Sequence, residues 1–80
     1  MKLKPIATEK AIMIIESQNV MTFETEKENT KGEIRKEVEE VFDVKVDKVR
    51  TSVRKNKKYA YVKLKKEFPA IDLATKLGMM

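Results

Sequence analysis

The residues of this sequence with chemistry to offer are lysines, arginines and two tyrosines, and they are concentrated. Lys48, Arg50, Arg54, Lys55, Lys57, Lys58, Lys63, Lys65 and Lys66 lie between positions 48 and 66, a stretch that holds no acid. Half of the 18 basic residues therefore sit there, whereas residues 1–47 carry eight basic and eleven acidic side chains. The net charge of +5 is thus a local property. A basic segment of this kind points to a polyanionic partner, usually nucleic acid. Its cations would neutralise phosphates. Tyr59 and Tyr61, interleaved among them, offer aromatic faces on which an unpaired base can stack, worth about 1–3 kcal/mol each.

Other chemistry is largely excluded. There is no His and no Cys, hence no imidazole base, no thiolate nucleophile and no N/S metal site. Gly32 and Gly78 are the only glycines, too few for a Gly-rich phosphate loop. The chain is expected to be no enzyme, to need no cofactor and to take no small-molecule substrate. Lack of Cys argues against a disulfide-stapled secreted scaffold. The longest apolar run, Ala11–Ile15, ends at Glu16 and is far too short to span a membrane. A soluble, intracellular chain without direct membrane insertion is the expectation.

Eighty residues make one domain, 1–80. Met1–Ile6 contains Pro5 and reads as a lead-in or short edge strand. Thr8 suits the N-cap of a helix running to about Ser17, with Gln18 and Asn19 as its stop. Val20–Glu26 alternates like a strand, with Met21, Phe23 and Thr25 on one face. Thr30 and Glu33 fit a capping box. Ile34, Val38, Val41 and Phe42 then recur on one helical face, with Phe42 as anchor and Arg35–Glu39 and Lys36–Glu40 spaced to pair. Val44–Arg54 and Tyr59–Lys66 read as strands joined by Lys55-Asn56-Lys57-Lys58. Val44 and Val46 are out of phase with Val49, Thr51 and Val53, which predicts a bulge near Asp47 or a strand that starts only there. Pro69 opens a last helix with the stripe Ala70, Leu73, Ala74 and Leu77, stopped by Gly78. Met79 and Met80 fray or form a small apolar tail.

This order predicts an α+β fold: a small antiparallel sheet of three strands plus a short N-terminal edge strand, in a split β-α-β arrangement with the last strand inserted between its partners, flanked by about three helices. Strand geometry then sorts the hairpin into two faces. Val49, Thr51, Val53, Ala60, Val62 and Leu64 face the helices. Lys48, Arg50, Ser52 and Arg54, beside Tyr59, Tyr61, Lys63 and Lys65, face away, and Lys55, Lys57 and Lys58 extend the charge at the tip. The alternatives for this face are a merely solvated hairpin, since exposed strands often carry Lys and Tyr forms strands well, and another acidic partner.

Several segments resemble the ribosomal protein L23 family of the large subunit. Pro5-Ile6-Ala7-Thr8-Glu9-Lys10-Ala11 is similar to its opening motif, and Asn29-Thr30-Lys31 with Glu33–Phe42 to its central helix. Val44-Lys45-Val46 with Lys48-Val49-Arg50-Thr51 resembles the next strand, Ala60-Tyr61-Val62-Lys63-Leu64 the last-strand signature, and Leu77-Gly78 the ending. The resemblance implies helices on both sides of the sheet, a structural role in the cytoplasmic ribosome, and binding to large-subunit rRNA at the rim of the polypeptide exit tunnel. It carries Lys10 and Lys31 over as further rRNA contacts and Glu9 as a docking point for factors that meet the nascent chain. The connection between the hairpin strands is short, as in archaeal-type members. Such a chain would meet neighbouring ribosomal proteins, the signal recognition particle and the translocon.

Two rivals follow from the same residues. A free-standing RNA-binding module would need exposed aromatics on two neighbouring strands, and both tyrosines fall on one. A small acylphosphatase-like enzyme would need a Gly-rich anion cradle beside Arg54 and Asn56, and the sequence holds none.

Overall fold

The computed structural model describes residues 3–78; the expectations for Met79 and Met80 lie outside them. In chain order the elements are β1 (Lys4–Pro5), α1 (Glu9–Gln18), β2 (Val20–Thr25), α2 (Lys31–Phe42), β3 (Val46–Arg54), β4 (Lys57–Leu64) and α3 (Ala70–Lys76). All strand pairs are antiparallel and the sheet order is β1-β2-β4-β3. The last strand does insert between β2 and β3, as the split arrangement requires.

Local chemistry sets most boundaries. The Thr8 hydroxyl accepts from the Ala11 N–H and starts α1. Thr30 and Glu33 form the full capping box of α2. Asn19 and Asp43 end their helices in the left-handed region, at φ 59° and 54°, a conformation short polar side chains tolerate. Asn19 does more. Its Nδ2 donates to the carbonyls of Leu64, Lys65 and Phe68, and its Oδ1 accepts from the Ala70 N–H. One side chain thus ties the ends of α1 and β4 to the start of α3, satisfying a helix N-terminus whose N-cap, Pro69, offers no side-chain hydrogen bond. Pro5 sits on the two-residue edge strand β1, where a missing N–H costs little.

The core lies where the sheet's inner face meets the helices. Met21, Phe23, Ile34, Val38, Val46, Ala60 and Val62 are fully buried, joined by Ile15, Leu64, Ala70, Leu73 and Ala74. Phe42 packs at its margin, stacked on Phe23 with ring centroids 5.7 Å apart and planes at 16°, a favourable offset geometry.

Four expectations need correction. β3 starts at Val46 rather than Val44, with the register shift between Val46 and Lys48 where the phase slip predicts it. Arg35 donates to the Val46 carbonyl and Glu39 accepts from the Val46 N–H, so α2 holds the strand beside that bulge. The hairpin connection is two residues, Lys55 and Asn56, both at positive φ (48° and 65°). β4 therefore spans Lys57–Leu64, not Tyr59–Lys66. Paired left-handed residues match the strands' own twist, and this favours the tight turn over the low strand propensity of Lys57 and Lys58. Val41, at 59% exposure, and Val53, at 60%, lie outside the core; Val53 stands opposite Lys58 near the hairpin tip. Finally, Arg35 and Glu39 pair at 3.7 Å, but among the described residues Lys36 and Glu40 form no ion pair.

Candidate nucleic-acid interface

Register fixes what meets on the outer face. In β4, Tyr59 lies between Glu24 of β2 and Ser52 of β3, Tyr61 between Thr22 and Arg50, and Lys63 between Val20 and Lys48. Alternation puts these side chains on the side opposite Ala60, Val62 and Leu64. Helix α1 runs along the β2 side of this face. Its Lys10, Ile14 and Gln18 form one wall of a groove of ≈ 650 Å³, whose other lining residues include Lys48, Arg50, Arg54, Tyr61 and Lys63. None of the groove's lining residues is acidic. Lys10, Lys48, Arg50, Arg54 and Lys63 are exposed, and Tyr61 is half-buried among them.

Arg54 organises the middle of the groove. Its Nη2 donates to the Tyr61 hydroxyl at 3.1 Å and its Nε to the Ser52 hydroxyl at 3.5 Å. The first contact holds the phenol's polar end. A second hollow, of ≈ 250 Å³, opens between the N-terminal half of α1 and β4, lined by Thr8, Lys10, Ala11, Thr22, Arg54, Tyr59 and Tyr61 among others. Six of the sequence-derived contacts therefore share one groove: Lys10, Lys48, Arg50, Arg54, Tyr61 and Lys63. Tyr59 sits in the adjoining hollow.

The remaining candidates lie elsewhere. Lys55, Lys57 and Lys58 are at or next to the hairpin turn, and Lys31 begins α2 close by. The Lys58 ammonium donates to the carbonyls of Lys27 and Asn29, Lys57 reaches Glu24 at 3.8 Å, and Lys27 donates to Asn56 Oδ1 at 2.9 Å. At this end too, the backbone N–H and hydroxyl of Thr30, with the nearby Lys58 charge, hold the Glu33 carboxyl below its ordinary range. Lys65 lies past the opposite end of β4, where its N–H bonds to the Lys45 carbonyl. Glu9 is exposed in the first turn of α1. Sequence reasoning missed Lys27, Ile14 and Gln18 as members of these surfaces. Only the β2–β4 register and the side on which α1 lies bring them in, and no local pattern signals either.

Two like-charged pairs stand directly opposite each other across β3 and β4: Arg54 with Lys57, and Lys48 with Lys63. Such pairs destabilise a sheet. The first is relieved by the Tyr61 hydroxyl and by Glu24. The second has no acid in the groove and, among the described residues, no ion pair, although Lys63 also borders a neighbouring hollow with Asp47 and Glu67.

The family model described as ribosomal protein L23 matches residues 1–71, covering all four strands, α1 and α2 and stopping inside the first turn of α3. The chain belongs to the ribosomal protein L23 family, structural proteins of the large ribosomal subunit that work within the translating ribonucleoprotein.

Proposed function

We propose that this chain binds large-subunit rRNA through the outer face of the β3–β4 hairpin, close to the rim of the polypeptide exit. The observation that carries the reading is the groove in which Lys10, Lys48, Arg50, Arg54 and Lys63 surround Tyr61 without an acid. The Lys48–Lys63 opposition costs stability in the isolated fold and is relieved when phosphate sits between the ammonium groups. Lys55, Lys57, Lys58, Lys31 and Lys65, at the two ends of the sheet, are weaker, peripheral contacts to the same RNA, Lys57 and Lys58 least of all because they are engaged within the fold. Tyr59 and Tyr61 offer stacking surfaces where α1 leaves them half-exposed.

Placement at the exit rim rests on the family. There the exposed first turn of α1, with Glu9, is a docking point for factors that receive the nascent chain. The two-residue turn at Lys55-Asn56 supports the archaeal-type reading, with the signal recognition particle and the translocon as partners beside neighbouring ribosomal proteins. A free-standing RNA-binding module is disfavoured because both tyrosines lie on β4.

Sedimentation of native lysate through a sucrose gradient at high salt tests the proposal. Co-migration of the chain with the large subunit is the expected result. Recovery only at the top of the gradient would favour the free-standing module.

A further inference from the structure

We infer that the hollow between α1 and β4 receives one unpaired nucleotide of the bound RNA. The inference deepens the rRNA-binding reading above and depends on it. The telling atom is Thr22 Oγ1. Among the described residues it is the only buried side-chain nitrogen or oxygen without a hydrogen-bond partner, on a residue 5% exposed. Burying an unpaired hydroxyl is unfavourable, and valine would occupy the position with the same branched shape and no such cost. Thr22 lines the ≈ 250 Å³ hollow and stands directly opposite Tyr61 in the β2–β4 ladder; its Oγ1 is closed off in the unbound fold, so the side chain turns about its Cα–Cβ bond to meet a ligand there.

The rest of the lining describes the ligand. Tyr59, Tyr61 and Ala11 give aromatic and apolar walls, while exposed Lys10 and Arg54 also border the space. A group that suits all three features has flat apolar faces, a hydrogen-bonding edge and a phosphate attached. A nucleotide has these, and only an unstacked one presents its faces and edge together. A duplex end is too broad for a hollow of this size. The hydroxyl, both donor and acceptor, accepts from or donates to the edge of any base. The site therefore selects an unpaired nucleotide rather than a particular one.

The full chain and purified large-subunit rRNA provide the test, through filter binding and chemical probing of base edges. Wild type is expected to protect an unpaired base that Thr22→Val leaves reactive. Thr22→Val is expected to weaken binding about 2–10-fold, the worth of one hydrogen bond, without changing the salt dependence. Its thermal midpoint should equal or exceed that of wild type, because an unsatisfied hydroxyl is removed. Ala11→Leu, which fills the hollow from the helix side, should lose the same protection. If Thr22→Val keeps wild-type affinity and footprint while Arg50→Glu abolishes binding, the hollow holds no nucleotide and the rRNA reading survives. If wild type fails to bind rRNA, this inference falls together with the reading it rests on.

Discussion

The two ends of the β3–β4 hairpin carry similar charge and use it differently. At the turn, Arg54 faces Lys57, and both have partners: Arg54 donates to Tyr61 and Ser52, and Lys57 pairs with Glu24. Lys58 beside them is bound to two loop carbonyls. At the far end Lys48 faces Lys63 in the same ladder geometry, and among the described residues neither ammonium has a hydrogen bond or an acid partner. A count of lysines treats the two ends alike. Geometry separates Lys57 and Lys58, which are engaged within the fold, from the groove cations left for a partner outside it.

Substitutions at each end test that separation. The largest effect on stability belongs at the turn. Lys58→Ala removes a charged donor from the Lys27 and Asn29 carbonyls, and we expect a loss of about 1–2 kcal/mol, at the lower part of the range for charge-assisted bonds because the site is part-exposed. Urea denaturation measures it; an unchanged midpoint would put Lys58 in the same class as Lys48. The smaller effect has the opposite sign. Lys48→Glu replaces a like-charged cross-strand pair by an attractive one, so stability should rise by about 0.2–1 kcal/mol while rRNA affinity falls. A variant that loses stability and affinity together would show that Lys48 supports the fold, and the contrast between the ends would disappear.

Much of this was legible in the sequence where a local rule carries the information. The Thr30–Glu33 capping box, the Thr8 cap, the edge placement of Pro5 and the slip of phase at Asp47 each follow from a few adjacent residues, and the structure has all four. Insertion of β4 between β2 and β3 followed from element order. What was not legible depends on contacts between distant segments. Asn19 looks like a simple helix stop, yet its side chain serves carbonyls 45 to 49 positions away. Lys57 and Lys58 read as part of a four-residue connection; the left-handed Lys55 and Asn56 close the turn before them. Val41 fits the apolar helical face by spacing and still faces outward, since α2 meets the sheet through Ile34 and Val38 and ends on Phe42. The basic face was legible as a strand parity. The groove was not, because its second wall is α1, and nothing in residues 9–18 states on which side of the sheet that helix lies.

The central claim is that the cations lining the groove, more than the total charge, govern RNA binding. The salt dependence of rRNA affinity tests it most directly, measured for wild type, for the triple variant Lys48→Ala, Arg50→Ala and Lys63→Ala, and for the triple variant Lys55→Ala, Lys57→Ala and Lys58→Ala. About 4–6 phosphate contacts give wild type a slope of log K against log salt of about −3 to −5. Removing Lys48, Arg50 and Lys63 should reduce that slope by about 2–3, and removing the turn lysines should change it by less than half as much. Equal reductions from the two variants would contradict the account: net charge alone would then govern binding, and the groove would have no special part in it.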